Sequence, residues 1–202
     1  STSDLIIEAV KEDINVKKTV FNQLDELAKD DAILATNTSS ISIDKIANSI
    51  NKNENVIGMH FMNPVPVMKL VEIIKGSKTS DRIVRRTLDY VNLINKIPIE
   101  CNDSPGFVSN RILMPMINEA AFTLMEGVAE AEAIDGIMKL GMGHPMGPLK
   151  LADLIGIDVC VSIMKVLFEG FDNSKYKVCP LLEEMQKSNK LGVKTKEGFY
   201  KY

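Results

Sequence analysis

Histidine, cysteine and clustered basic charge are scarce in this chain, and each scarcity removes a class of function. The two histidines stand far apart, and Cys101, Cys160 and Cys179 form no C-x-x-C pair. Zinc sites need clustered thiols or imidazoles, so no metal site is expected. An odd, scattered set of thiols argues against a disulfide framework and for a reducing compartment, taken here as the cytoplasm. The net charge is −3 and no basic block occurs, which points away from nucleic acid and acidic membrane surfaces. No apolar run approaches the length of a bilayer span, so no membrane partner is expected. The first residues, Ser-Thr-Ser-Asp-Leu-Ile-Ile-Glu, lack the basic region and cleavage pattern of a signal peptide and read as the middle of a domain.

What remains is ordinary for a globular protein: 45% hydrophobic and 25% charged residues. Residues 4–9 read as a buried strand. Val10, Ile14, Phe21, Leu24 and Ala28 recur at helical spacing. Strands are expected over 32–36 and 56–60, a short helix over 44–50 and a long extended run over 67–75. Ser80 is placed to cap a helix carrying Ile83, Leu88, Val91 and Ile94, and residues 97–101 close the series as a strand. Strands alternating with helices imply an α/β fold with a mostly parallel sheet.

The pattern changes at Asp103-Ser104-Pro105-Gly106, where a domain boundary is set near residue 102. Helices are expected over 107–127, which includes Pro115, over 130–140 with a stop at Gly141, over 149–169 with a loosening at Gly156, and over 181–190 after Pro180. The chain thus reads as domain 1–102, α/β, and domain 103–202, all-helical. The eleven methionines suit either an adaptable peptide-binding surface or gap-filling in a core, and the core reading is preferred. The helical half carries more apolar surface than one layer needs, as an oligomer contact would.

Chemistry concentrates in Asn37-Thr38-Ser39-Ser40, Met59-His60-Phe61-Met62-Asn63-Pro64 and Lys69-Leu70-Val71-Glu72. His60 falls at a strand end and is either a satisfied structural histidine or a proton carrier suited to neutral pH. Glu72 lies in an apolar run where a lone charge is costly, so it is read as paired, against the alternative of a solvated edge position. A carboxylate on one imidazole nitrogen would fix the tautomer and stabilise the imidazolium. Glu12 and Lys17, read by themselves, suit a solvated helix face, and His144 a loop-shaping position in Gly143-His144-Pro145-Met146-Gly147-Pro148.

Taken in order, NTSSISI, GMHFMNPVPVMKLVEII, SPGFVSNRILMPMINEA, GHPMGPLKLADLIGID and GFYKY closely resemble the 3-hydroxyacyl-CoA dehydrogenases, especially the short 3-hydroxybutyryl-CoA dehydrogenases, over nearly the whole chain. The resemblance implies NAD as cofactor, an acyl-CoA thioester as substrate and a homodimer formed through the helical domain. It implies His60 as general acid/base with Glu72 as partner, and Ser39 and Asn110 near the reacting hydroxyl and the thioester. Asn110 is expected at the start of the first helix of the second domain, beside a cleft. The family's cofactor contacts fall on Glu12, Lys17, Ser39 and Asn63, with Glu12 and Lys17 on the first helix.

One departure stands out. The family opens with a glycine-rich dinucleotide fingerprint, and no G-x-G-x-x-G occurs here. That turn and an acidic residue about twenty positions on hold the pyrophosphate and ribose. The expected fold is therefore an incomplete Rossmann-like sheet that starts at about the fourth strand of six, a fragment or a piece completed by another. By itself the chain is expected to bind NAD weakly. A non-catalytic structural or dimerisation fragment is the alternative function. A related hydroxyacid or sugar-acid dehydrogenase is a third, disfavoured by the HFMNPVPVMKLVE run.

Overall fold

The computed structural model describes residues 2–202 and divides into two compact units, 1–108 and 109–202. The first unit runs β1 (Leu5–Glu8), α1 (Ile14–Leu27), β2 (Ile33–Thr36), α2 (Ile43–Ala47), β3 (Val56–Phe61), β4 (Leu70–Lys75), α3 (Asp81–Leu93) and β5 (Ile97–Asn102). The sheet order is β1-β2-β3-β4-β5. All neighbours are parallel except β3 and β4, which run antiparallel. A parallel pair needs a crossover, here supplied by α1, α2 or α3, whereas β3 and β4 are joined by a short reversal. There Val67 and Met68 both donate their backbone N–H to the Pro64 carbonyl. That turn is why β4 begins at Leu70 rather than at Val67.

Both faces of the central strands β2, β3 and β4 are covered, as a mostly parallel sheet requires, whereas edge strand β5 leaves Ile97 and Ile99 exposed. On one face Phe21, Ile43, Ile46 and Ala47 pack on Leu34, Val56 and Ile74. On the other, Ile83, Val84 and Val91 of α3 pack on Ile33, Ile57, Met59, Val71 and Ile73. Phe107 belongs to the first of these clusters, which carries the first unit past the Asp103–Gly106 turn and beyond residue 102.

Several element ends differ from the sequence reading, each for a local reason. Helix α1 starts at Ile14, because the Asp13 carboxylate accepts from Asn15 and Val16 N–H and so caps it, leaving Val10 outside. Helix α2 stops at Ala47, where Ser49 and Ile50 turn back onto Ile46 and Ala47 carbonyls. Ser80 holds the cap position of α3 but its hydroxyl makes no cap bond and is buried without a partner.

The second unit comprises α4 (Ser109–Met125), α5 (Ala131–Met142), α6 (Pro148–Ile155), α7 (Ile157–Phe171) and α8 (Pro180–Lys187). Its core gathers Met114, Ile117, Ala121, Cys160, Met164, Leu167 and Leu182. Helix α5 runs through Gly141 and stops at Gly143, whose φ of 70° is the left-handed cap conformation. The helix expected over 149–169 is two helices, broken at Gly156 with φ of 106°. The carboxyl-terminal segment is tied down by two buried carboxylates. Asp153 accepts from Phe199 N–H, Tyr200 N–H and the Tyr202 hydroxyl. Asp135 accepts from Leu149 and Lys150 N–H at the start of α6 and from the Tyr200 hydroxyl.

Candidate active site

Strand β3 carries His60 and strand β4 carries Glu72, and their antiparallel register sets the two directly opposite each other on one face. Side chains opposed in this way sit close enough to bond across the strands. His60 Nδ1 lies 2.8 Å from Glu72 Oε2, and both side chains are more than nine-tenths buried. With Nδ1 held by the carboxylate, Nε2 is the nitrogen left to exchange a proton. The Phe107 ring tilts against the imidazole at 5.9 Å between centroids. Phe107 has a φ of 51°, following Gly106 at 72°, so a left-handed turn delivers the ring. Burial, then the charge of Glu72, pushes the neighbouring Cys101 thiol up to about 11, so it stays protonated at neutral pH and is no nucleophile.

The stretch after β2 adjoins this pair. Asn37 accepts the Phe61 N–H through its side-chain oxygen at 3.0 Å and donates its own N–H to the Glu8 carbonyl, bracing the end of β3. Thr38, Ser39 and Ser40 follow, and all three bond one oxygen of Glu12. The distances are 2.6 Å from the Thr38 hydroxyl and 3.0 Å from each of Ser39 N–H, Ser40 N–H and the Ser40 hydroxyl. Burial opposes the Glu12 charge, but the Thr38 bond, the Lys17 charge and the Ser40 and Ser39 bonds together hold its carboxyl below the ordinary glutamate value.

Glu12 is not on α1; it lies in the turn between β1 and that helix. Lys17 is on α1, yet fully buried rather than on a solvated face. Its ammonium bonds Glu8 at 2.9 and 3.1 Å and approaches Glu12 at 3.4 Å. Asn63 precedes Pro64 through a cis peptide in the β3–β4 reversal. Lys96 bonds the Val65 carbonyl and, at 2.6 Å, that of Met68, holding this reversal. Asn110 lies in the first turn of α4 in the second unit and is buried. His144 follows α5, its N–H on the Met138 carbonyl. Among the described residues no cluster of three metal-binding side chains occurs, and no helix is long and apolar enough to cross a membrane.

Sequence reasoning did not single out Glu8, Phe107, Asp135 or Asp153. Glu8 carried the same signal as Glu72, a carboxylate inside an apolar strand. Phe107 carried none, because its contact with His60 depends on a left-handed turn far along the chain.

Residues 1–104 match the family model described as 3-hydroxyacyl-CoA dehydrogenase, NAD binding domain, and residues 106–202 match that of 3-hydroxyacyl-CoA dehydrogenase, C-terminal domain. Among relatives, the 3-hydroxybutyryl-CoA dehydrogenase of Clostridioides difficile is 57% identical over 98% of this chain and 71% of its own length. The human mitochondrial hydroxyacyl-coenzyme A dehydrogenase is 43% identical over 100% of this chain and 64% of its own. The crystal structure of (S)-3-hydroxybutyryl-CoA dehydrogenase from Ralstonia eutropha superposes with a TM-score of 0.96 at 47% identity, covering 98% of this chain and 70% of that one. The fold is thus that of a Rossmann-like dehydrogenase with a helical second part. The chain belongs to the 3-hydroxyacyl-CoA dehydrogenase family, an NAD-dependent enzyme family.

The residues here suit one end of that cofactor. Hydroxyls and amides of Asn37–Ser40 and Asn63 follow the β2 and β3 strands, the place where open α/β sheets collect ligand groups. The Thr38 and Ser40 hydroxyls and the Ser39 and Ser40 N–H groups already donate to Glu12, so the side-chain amides of Asn37 and Asn63 are the donors of this set that suit a carboxamide and ribose. No glycine fingerprint for a pyrophosphate occurs in the 202 residues.

Proposed function

We propose that this protein interconverts (S)-3-hydroxyacyl-CoA, with 3-hydroxybutyryl-CoA the leading substrate, and 3-ketoacyl-CoA. His60 is the acid/base and Glu72 its partner. The observation that carries the reading is the buried 2.8 Å contact between them across β3 and β4. Bound NAD supplies the hydride acceptor. In oxidation, His60 Nε2 takes the proton of the substrate hydroxyl as C3 becomes a carbonyl. Glu72, on Nδ1, stabilises the imidazolium so formed; in reduction His60 returns the proton. Ser39 and Asn110 orient the substrate oxygens by hydrogen bonding. Glu12, Lys17, Ser39 and Asn63 make up the cofactor side.

In this reading residues 1–102 belong to the NAD-binding domain and 103–202 form the substrate-binding and dimerisation domain. The dimer proposal draws support from α5, where Ile137 and Leu140, three residues apart on one helix face, stand 61% and 90% exposed. Three free thiols suit a cytoplasmic setting in β-oxidation or butyrate-type metabolism. Turnover compared on 3-hydroxybutyryl-CoA and on free 3-hydroxybutyrate tests the substrate class. Preference for the thioester is expected, and equal rates on the free acid would return the related hydroxyacid dehydrogenases to first place.

A further inference from the structure

We propose that Phe107 is a positioning residue of the acid/base step. Its ring, delivered by the Asp103–Phe107 turn, fixes the plane of the His60 imidazole and keeps water from the bond between His60 and Glu72. The proposal rests on the reading of His60 as the acid/base.

One hydrogen bond does not fix a ring. The β3–β4 register places the two side chains, and the contact from Nδ1 to Glu72 Oε2 holds one edge of the imidazole. The ring can still tilt about that contact, and its plane decides where Nε2 points. Phe107 supplies the second hold. Its ring stands 5.9 Å from the imidazole, centroid to centroid, at 60°. That lies within the range that tilted aromatic pairs prefer. His60, Glu72 and Phe107 are all buried. A bond between a carboxylate and an imidazole that turns cationic is strong only where water does not compete. An apolar ring beside it excludes water and offers no competing donor or acceptor.

The turn is strained at one residue and anchored at its start. Phe107 has φ of 51°, which glycine would adopt freely and a β-carbon disfavours. Strain of this kind persists only where neighbouring contacts over-determine it. Phe107 donates its N–H to the Ser104 carbonyl at 2.9 Å, closing the turn. Asp103 donates its N–H to the Lys75 carbonyl, at the end of the strand that carries Glu72. Asp103 Oδ2 accepts from the Ser42 hydroxyl at 2.7 Å and from Asp44 N–H at 3.0 Å, at the start of α2. The turn is thereby fixed to β4 and to α2. Phe107 also lies in the core cluster of Ile43, Ile46 and Ile74, so plain core filling is the competing role. The two roles separate by experiment, because a filler acts on stability and not on one proton.

Two measurements test the assignment. The first is proton NMR on the 202-residue chain. The His60 Nδ1 proton, held against Glu72, should exchange slowly with water. Phe107→Ala should speed that exchange by about tenfold or more. Phe107→Leu restores apolar cover and should return it to within about threefold. Ile46→Ala truncates the same cluster, and should lower stability to urea while leaving the exchange as it is. Asp103→Ala frees the turn with the core side chains in place. It should also speed the exchange, so the test holds even where Phe107→Ala does not fold. A folded Phe107→Ala or Asp103→Ala with unchanged exchange would overturn the proposal, as would equal acceleration by Ile46→Ala.

The second is steady-state turnover in a form that also carries the glycine-fingerprint segment. Phe107→Ala should lower kcat by about ten- to a hundredfold, the scale of a misplaced catalytic group, with KM for 3-hydroxybutyryl-CoA within about twofold. Phe107→Leu should recover most of the loss. A raised KM at unchanged kcat would mark a substrate contact and sink the positioning role. Near-full turnover in His60→Gln would instead remove the acid/base reading while leaving the proton-exchange results standing, so the two failures are told apart.

Discussion

His60 and Glu72 each occupy a place that is costly without the other. An unpaired buried carboxylate in an apolar strand loses its hydration, and an imidazole without its partner loses its fixed tautomer. In a form that also carries the glycine-fingerprint segment, His60→Gln should lower turnover by roughly 10²–10⁴-fold, the usual worth of a positioned general base, with steady-state kinetics as the check. Glu72→Gln should lower kcat while leaving thioester affinity, measured by calorimetry, nearly unchanged. Near-full turnover in His60→Gln would remove it from the role. Burial alone does not mark a catalytic residue here, since Asp153 is as deeply buried and holds the carboxyl-terminal segment.

At the scale of elements, glycine has opposite meanings two residues apart. Gly141 is helical with open space where a Cβ would go, whereas Gly143 needs φ of +70°. Gly141→Ala should raise stability by up to about 1 kcal/mol by removing unfolded-state freedom. Gly143→Ala should lower it by about 1–2 kcal/mol, the cost of the left-handed region for an L side chain. Urea unfolding of the pair reads the sign directly. The carboxyl-terminal segment gives a second test. Asp153→Asn would set an amide group against the N–H and O–H donors of Phe199, Tyr200 and Tyr202. It should cost about 1–3 kcal/mol and open residues 192–202 to limited proteolysis. If that segment stayed resistant, another contact would be holding it.

At the scale of the whole molecule, the two units should answer acid differently. In the first unit half-buried Glu12 is held below its ordinary value, and so are Asp4, Asp13, Asp25 and Asp81, which lie exposed or partly exposed and contribute less because solvent screens them. A depressed carboxyl contributes stability above its unfolded pKa, and this is lost as pH falls through the folded one. For these groups the loss starts near the ordinary values of 4.5 and 3.8. In the second unit burial raises Asp153, which has the reverse sign: protonation on the same descent relieves it. Glu197, held down by Lys190, has the opposite sign, but the pair is exposed and screened by solvent. Hydrogen exchange followed from pH 6 downward should therefore show protection failing first in residues 2–108. Simultaneous loss across both units would show that they unfold as one. The exposed α5 face belongs to this scale too. Leu140→Glu should leave the fold intact, since the side chain is 90% exposed, and should shift sedimentation towards monomer. An unmodified chain already monomeric at micromolar concentration would rule the dimer out.

Local pattern by itself determined most of the elements: alternation and helical spacing repeat over a few residues, so β1 to β5 and most helices were legible, as were the Asn37–Ser40, His60 and Glu72 segments. The family followed from long motifs in order. What the tertiary structure decided was everything that depends on partners distant in the chain. The antiparallel turn of β4 brought Glu72 opposite His60, with 2.8 Å between Nδ1 and Oε2. Asp13 moved the start of α1, because a cap is a single hydrogen bond that periodicity does not register. Gly156 divided a continuous apolar pattern, since core packing is satisfied equally by one helix or two. Lys17 changed from a surface charge to a buried one. Its helical position is the same in either case, and only the carboxylates of Glu8 and Glu12, arriving from a strand and a turn, made burial affordable in free energy.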